Sequence, residues 1–524
     1  MRNGNFRHFT QMPVILALLP FILQHTMGQT YYDTHVENKL VAENSFIARN
    51  ADLSPLPVFD QARQLLPKPV WEGHPDAINC YWRAWELAFS NLRLPQPERN
   101  GFISPFIDPA FNEHIFMWDS HFMLMFGKYG TRAFNFQGTL DNFYAKQHKD
   151  GFICREIKES DGHDFFERFD PSSTGPNLFP WTEWEYFLNF NDTARLKEVF
   201  PPLLAYYQWY NTYRTWKDGS YWSSGWGCGM DNQPRLPAGY NDAWSHGHMS
   251  WIDITCQQAF VGGLLVEMSQ VLGREDDVKD IQTEILSLKQ YVNEKMWDQK
   301  SAFYYDRYRD GSLSGVKSIG AFWALPAGLV EESRIEPFIA HLEDPAEFAR
   351  LHRVATLSAD HPVFNPDGEY WRGSVWAPTN YMVLRGLTKY GYDSLAFEIA
   401  LNHLSNVVEV FNGTGTLFEN YAPDKVQGND RKDFVGWTGI VPITVLFEYV
   451  FGIRPDVPHN TIIWDINLTD AFGIADYPFG NKGTLSLHCQ KRNSPYDEPS
   501  IEVKSNTHFT LILKWRGGEK RIEI

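Results

Sequence analysis

The sequence predicts a mainly α-helical protein in which helical hairpins close into a toroid and a small antiparallel β-domain follows. Three observations predict it. Apolar residues between about 76 and 453 recur at helical spacing. The segments joining the helices are long and rich in Gly, Pro and Trp. Beyond Pro455 the apolar pattern switches to strict alternation.

Residues 1–28 have the layout of a cleaved signal peptide: Arg2 and Arg7, an apolar run from Pro13 to Leu23, then small residues near Thr26 and Gly28. That run falls short of the roughly 20 residues a spanning helix needs, and no later stretch is long enough. The mature protein is therefore expected to be periplasmic or extracellular, without membrane insertion. Residues 29–75, with scattered prolines, read as an extension lying on the helical body. Within 76–453, Val278, Ile281, Ile285, Leu288, Val292 and Met296 share one helix face. A preceding helix, roughly Ile252 to Leu272, stops at Gly273, so the two make an αα-hairpin. The same face pattern recurs in Ala396, Ile399, Ala400, Leu404 and Val407. It returns in Ile443, Leu446, Phe447 and Val450, which Gly452 and Pro455 terminate. An α-solenoid would show short, regular loops and a fixed repeat, and the chain shows neither. Residues 454–524 make the β-domain, from alternating runs such as Ile501 and Val503, then Phe509, Leu511, Leu513 and Trp515.

With 524 residues, one large helical body and an appendage have ample core. Aromatic residues reach 15%, with 19 Trp, more than a core needs. Sugar-binding clefts use such rings because the C–H faces of pyranoses pack on them. The formal charge is −17, and removing residues 1–28 takes away two Arg and no acid. So acidic a surface disfavours nucleic acid and anionic membranes as partners. Five widely spaced cysteines, Cys80, Cys154, Cys228, Cys256 and Cys489, argue against a disulfide framework while allowing one bridge.

The loops carry the chemistry. Trp226-Gly227-Cys228-Gly229-Met230-Asp231-Asn232-Gln233-Pro234-Arg235 sets an acid in a glycine-rich, aromatic-flanked loop. Glycine lets backbone approach a ligand, and Trp226 supplies an apolar wall that raises a carboxyl pKa. A loop-capping Asp is the bland alternative. Glu419, in Gly415-Thr416-Leu417-Phe418-Glu419-Asn420-Tyr421-Ala422-Pro423, stands between aromatics in a segment unsuited to a helix interior; a surface glutamate is the alternative there. Three further segments put Trp beside a polar residue at a helix start: Trp118-Asp119, Tyr370-Trp371-Arg372-Gly373 through Trp376 and Asn380, and Trp437-Thr438.

These five segments, in this order, resemble the signature loops of (α/α)6-barrel glycoside hydrolases of family 63 and of the related mannosylglycerate hydrolase and trehalase groups. The resemblance spans about Trp118 to Phe447. It implies an inverting, exo-acting α-glycoside hydrolase, α-glucosidase-like, that removes a terminal hexose from an oligosaccharide or glycoside. Some relatives hold calcium, but no segment here reads as a dedicated site, and no cofactor or metal is expected. Asp231 matches the general acid and Glu419 the general base. Trp118 and Asp119 match residues gripping the cleaved sugar. Tyr370, Trp371, Arg372, Trp376, Tyr421 and Trp437 match the pocket's motifs; Trp226 and Arg155 are further expected contacts. An inverting pair stands about 6.5–9.5 Å apart to admit a water, with the acid protonated and the base ionised. An apolar setting for Asp231 and a solvated one for Glu419 are expected to keep them so.

Other chemistries fit less well. His246-Gly247-His248 after Asp242 is a weak zinc signal without H-E-x-x-H. No G-x-S-x-G elbow marks a serine hydrolase. Cys228 near Asp231 reads as a small buried residue, having no matched His. A polysaccharide lyase on the same toroid could use His246, His248 or Tyr240, although the negative charge opposes a polyanionic substrate. A non-catalytic carbohydrate-binding protein would explain the Trp-rich loops and leave the two acids without a purpose.

Overall fold

The computed structural model describes residues 36–110 and 112–524, so the expected signal peptide at residues 1–28 lies outside the described residues. Eleven helices matter for the site: α1 (Pro75–Ser90), α2 (Met117–Gly127), α3 (Gly138–Ala145), α4 (Phe179–Phe190), α5 (Thr193–Tyr213), α6 (Ile252–Leu272), α7 (Lys279–Lys295), α8 (Glu332–Ile339), α9 (Ala377–Lys389), α10 (Asp393–Thr414) and the π-type α11 (Val441–Val450). Their surroundings divide them. Every residue of α2 and α11 is buried, whereas α7 buries only Ile281, Leu288, Val292 and Asn293. A helix apolar all round belongs inside, and one with a single stripe belongs outside.

The inner helices contact one another in sequence. α2 packs on α4, α4 on α6, and α6 on a short 3₁₀ segment, Ile319–Ala324. That segment packs on α9, α9 on the turn Thr438–Ile440 leading into α11, and α11 returns to α2. Each outer helix lies against its neighbours: α5 on α4 and α6, α7 on α6, α10 on α9 and α11, and α1 on α11. The α6–α7 hairpin turns at Gly273, whose left-handed φ of 64° and N–H to the Ser269 carbonyl close the helix as its sequence predicts.

Toward the C-terminal ends of the inner helices, a buried charge network ties the ring across its middle. Lys128 Nζ lies 3.1 Å from Glu185 Oε2 and 2.8 Å from Glu448 Oε1, and Arg385 meets Glu185 from α9. Tyr129 and Tyr381 donate to the Glu448 carboxylate at 2.6 and 2.8 Å. Every charge is paired and hydrogen-bonded, which is what burial demands.

Short strands complete the structure: β1 (Lys68–Trp71), β2 (His114–Phe116), β3 (Glu156–Lys158), β4 (Phe418–Tyr421), β5 (Gly428–Lys432), β6 (Ile453–Asp456), β7 (Thr461–Asp465), β8 (Phe472–Phe479), β9 (Gly483–Cys489), β10 (Ile501–Ser505), β11 (Thr510–Trp515) and β12 (Gly518–Glu523). The C-terminal region holds two four-stranded sheets, ordered β1-β8-β9-β10 and β6-β7-β11-β12. Leu511 and Leu513 point inward on β11, as their alternation predicts. Two features depart from the expected antiparallel unit of residues 454–524. The β7–β11 pair is parallel, because the chain builds three strands of the other sheet before returning. In addition, β1 comes from the N-terminal extension, pairing Trp71 with Phe472 and Lys68 with Ala475, so that segment is woven into the sheet. All five cysteines are buried free thiols. No helix among the described residues is long and apolar enough to cross a membrane.

Candidate active site

The N-terminal ends of α2, α9 and α11 border a cavity of about 650 Å³ at the end of the ring opposite the charge network. Two acid-bearing loops reach it. The first begins in a single helical turn, Gly225–Cys228, capped by Ser224 Oγ accepting from Gly227 N–H and ended by Gly229 at φ 79°. A Cβ on Gly229 would stand 3.2 Å from the Trp118 indole, so only glycine allows both the turn and this approach. Asp231 follows and lines the cavity. Arg235 holds the loop's far end: its guanidinium is buried, donates to Asp253 Oδ2 and Oδ1 at 2.6 and 2.9 Å and to Asp306 Oδ1 and Oδ2 at 2.6 and 2.8 Å, and lies over Trp251. Since Asp253 is in the first turn of α6, the loop is fixed to an inner helix.

Asn232 joins this loop to the Tyr370–Trp376 segment. Its Nδ2 donates to the Glu369 carbonyl and its Oδ1 accepts from Trp371 N–H. Glu369 and Tyr370 adopt left-handed φ values of 53° and 63°, a conformation disfavoured for side-chain-bearing residues and typical of functional loops. The result is an aromatic wall. Trp371 and Trp376 stack at 4.0 Å and 9°, with Tyr370 edge-on to Trp376 and Trp437 tilted against it at 5.4 Å.

Glu419 arrives on β4, which pairs with β5 across a register shift between Phe418 and Asn420. Such a bulge re-aims one side chain, here into the cavity. Trp437 Nε1 donates to the Glu419 carbonyl at 2.7 Å, and Arg431 N–H donates to its Oε2 at 3.3 Å. The Tyr370 hydroxyl faces the same carboxylate and favours its ionised form.

Electrostatically the acids converge on one space. Burial, then the charges of Asp231, Glu419, Asp119 and Asp430, push the Tyr370 hydroxyl far up. Burial raises Asp231 to about 6, Arg155 opposing. It raises Glu419 to about 7, helped by Asp430 and opposed by the hydrogen bonds from Arg431 and Tyr370. Glu419 is only 6% exposed. This corrects the expectation of a solvated setting for it: the bulge turns it inward, and a second carboxylate stands beside it. Asp119, 3% exposed and pushed well up by burial, has an Oδ1 with no hydrogen-bond partner in the protein; so has Trp118 Nε1. A polar ligand in the cavity would satisfy such atoms.

Of the expected site residues, Trp118, Asp119, Arg155, Trp226, Asp231, Tyr370, Trp371, Trp376, Glu419 and Trp437 all line the cavity. Two do not. Arg372 turns away to Glu369 Oε1 and the Asn232 carbonyl, bracing the loop from behind. Tyr421 packs on His352, and its backbone pairs with Val375. His246 and His248 pack on Trp216 outside the lining, so the histidines considered for a lyase stand away from the acids. Sequence reasoning missed Asp430, Arg431, Phe165 and Phe166, which also line the cavity. None lies in a motif; the β4–β5 pairing and the loop after β3 bring them in.

Residues 113–438 match the family model of the mannosylglycerate hydrolase MGH1-like glycoside hydrolase domain. An uncharacterized protein of Borreliella burgdorferi is 24% identical over 398 residues, covering 74% of this chain and 81% of its own. A probable mannosyl-oligosaccharide glucosidase of Schizosaccharomyces pombe is 23% identical over 280 residues, covering 47% of this chain and 34% of its own length. The chain thus spans about a third of that glucosidase. The crystal structure of a GH63 mannosylglycerate hydrolase from Thermus thermophilus in complex with glucose superposes with a TM-score of 0.56 at 20% identity, covering 70% of this chain and 99% of that one. With its family model spanning more than half the sequence, the chain belongs to the MGH1-like glycoside hydrolase family.

Proposed function

We propose that the chain is an inverting, exo-acting α-glycoside hydrolase, α-glucosidase-like, that removes a terminal hexose from an oligosaccharide or glycoside. The observation that carries this reading is the meeting of Asp231 and Glu419, from distant loops, in one aromatic-lined cavity around Tyr370. The closed ring of six inner segments, with outer helices against α4, α6, α9 and α11, supports an (α/α)6 barrel. The Arg2, Arg7 and apolar pattern at the N-terminus supports export to the periplasm or beyond.

In this reading the hexose sits against Trp371 and Trp376, with hydroxyls on Asp119 Oδ1 and Trp118 Nε1. Asp231, protonated, donates its proton to the glycosidic oxygen as the bond to the anomeric carbon breaks. Glu419, ionised, takes a proton from a water that attacks the opposite face, so an α-glycoside yields a β-hexose. The positive charge developing on the sugar ring is stabilised by the surrounding carboxylates. Exchange with solvent returns the proton to Asp231 and removes the one on Glu419.

The test is proton NMR of the anomeric region from the first minute of reaction with α-linked glucosides, mannosides and galactosides. The wild type is expected to release the β-anomer, and Asp231→Asn to release none. First appearance of the α-anomer refutes inversion. An unsaturated-ring absorbance from a uronate polymer, with no glycoside cleaved, favours a lyase instead.

A further inference from the structure

We propose that the substrate's leaving group is an uncharged sugar, held outside the hydrolysed hexose by a row of four aromatic rings: Phe165, Phe166, Trp226 and Trp244. The inference rests on the function proposed above and specifies its substrate class. The rings follow one another from the loop after β3 to the loop before α6. Centroids lie 4.9 Å apart for Phe165–Phe166, 6.2 Å for Phe166–Trp226 and 5.5 Å for Trp226–Trp244. Phe165, Phe166 and Trp226 line the cavity, and Trp244 continues the row beyond it. The two end rings stand in solvent, with Phe165 51% and Trp244 54% exposed. Large aromatic rings exposed contiguously at a cavity mouth mark a surface that something covers.

Continuity with the cavity and its size identify the occupant. A hexose fills roughly 200 Å³ at close-packed density, so a cavity of about 650 Å³ has room for more than the ring being cleaved. What leaves the acids toward the mouth meets aromatic faces, which suit the C–H faces of a second sugar. Charge sets the second half of the inference. The lining has five carboxyl residues, Asp119, Glu156, Asp231, Glu419 and Asp430, against Arg155 and Arg431. Arg155 is engaged by Glu156 at 3.3 Å and by the Ser172 carbonyl at 2.9 Å. A carboxylate leaving group would therefore enter a space with more carboxyl than guanidinium groups, in which Arg155 is already committed, whereas a neutral sugar meets no such repulsion.

The experiment uses Trp244→Ala, whose side chain is half exposed and outside the cavity lining, with three probes. α-Glucosyl fluoride has no sugar leaving group, α-linked glucobioses have a neutral one, and α-glucosylglycerate has an anionic one. The wild type is expected to prefer at least one glucobiose to the glycerate conjugate by tenfold or more in kcat/KM. Covering roughly 80 Å² of the Trp244 ring, at about 25 cal/mol per Å², predicts that the variant loses about thirtyfold on that glucobiose, mainly in KM. Fluoride hydrolysis should stay within twofold. Titration of glucobioses into Asp231→Asn with and without Trp244→Ala, followed by calorimetry, reads the same surface without turnover and should show the same loss. An unchanged Kd, or equal use of the glycerate conjugate, overturns the proposal. Failure of the wild type to hydrolyse the fluoride counts instead against the proposed function, leaving the Kd comparison to decide the platform.

Discussion

Replacing Glu419 by Gln should make the protein more stable at alkaline pH and leave it nearly unchanged at acid pH. Folding lifts this carboxyl from 4.5 to about 7. The native state therefore keeps a proton that the unfolded chain releases between those values. The group's contribution is complete below pH 4.5 and is lost as pH rises through 7. With the carboxyl ionised in both states, a rise of about 2.5 at 1.36 kcal/mol per pKa step costs the fold about 3 kcal/mol. Gln has no charge to bury, and its carbonyl still accepts from Arg431 N–H. Urea unfolding of wild type and Glu419→Gln at pH 4 and pH 8.5 measures the effect as a difference of differences, in which other titrating groups cancel. The variant's gain at pH 8.5 over its gain at pH 4 should be about 2–3 kcal/mol. An equal stability difference at both pH values would refute a buried, proton-retaining Glu419.

In the proposed mechanism the same pair of carboxyls sets the pH dependence of turnover. Because Asp231 must hold a proton and Glu419 must lack one, while burial lifts Glu419 to about 7 and Asp231 only to about 6, the reactive form is the minor of the two singly protonated states, the reverse of the order expected from the sequence; kcat/KM should then be a low bell centred near 6.5. Asp430→Asn, by removing the charge that helps raise Glu419, should move that centre to lower pH; an unmoved profile would show that Asp430 does not act on Glu419. Arg235→Met should cost about 3–5 kcal/mol, since it strands Asp253 and Asp306 as unpaired buried charges. Arg235→Lys should restore little, because an ammonium cannot serve two carboxylates side-on. Thermal unfolding decides both, and a full rescue by Lys would contradict the fork geometry.

How much of this was legible in the sequence depended on whether a feature was local. α6 and α7 could be read to within a residue or two because a glycine ends the first and the second shows one apolar stripe. α2 shows no stripe, since all its residues are buried, and only its Trp118-Asp119 pair drew attention. Asp231 and Glu419 stood out as acids in segments where packing gives no reason for one. Asp430 and Arg431 did not, because Gly428–Lys432 reads as an ordinary polar strand until β4 pairs with it. Tyr421 was misplaced for the complementary reason. Two residues on from Glu419, regular alternation would share its face, but the register shift before Asn420 turns Glu419 inward while Tyr421 stays against His352. β1 lay hidden too: four residues including Pro69 carry no alternation that distinguishes a strand from a linker.

Loops hold both carboxyls, yet neither loop is free to wander. Asp231 is tied through Arg235 to the first turn of α6, and through Asn232 to the segment entering α9. Glu419 is tied through its carbonyl to Trp437, at the entry to α11. The spacing of the two carboxyls is thus set by where α6, α9 and α11 begin, and α9 and α11 are fixed toward their other ends through Arg385 and Glu448, which meet Glu185 and Lys128. This arrangement explains why the site can tolerate left-handed Glu369 and Tyr370 and a carboxyl that resists ionisation. Each of these features opposes folding by a few kcal/mol at neutral pH. A ring of helices whose starts and ends are both pinned supplies that stability from packing remote from the chemistry, so the geometry of the acids need not be relaxed to keep the protein folded.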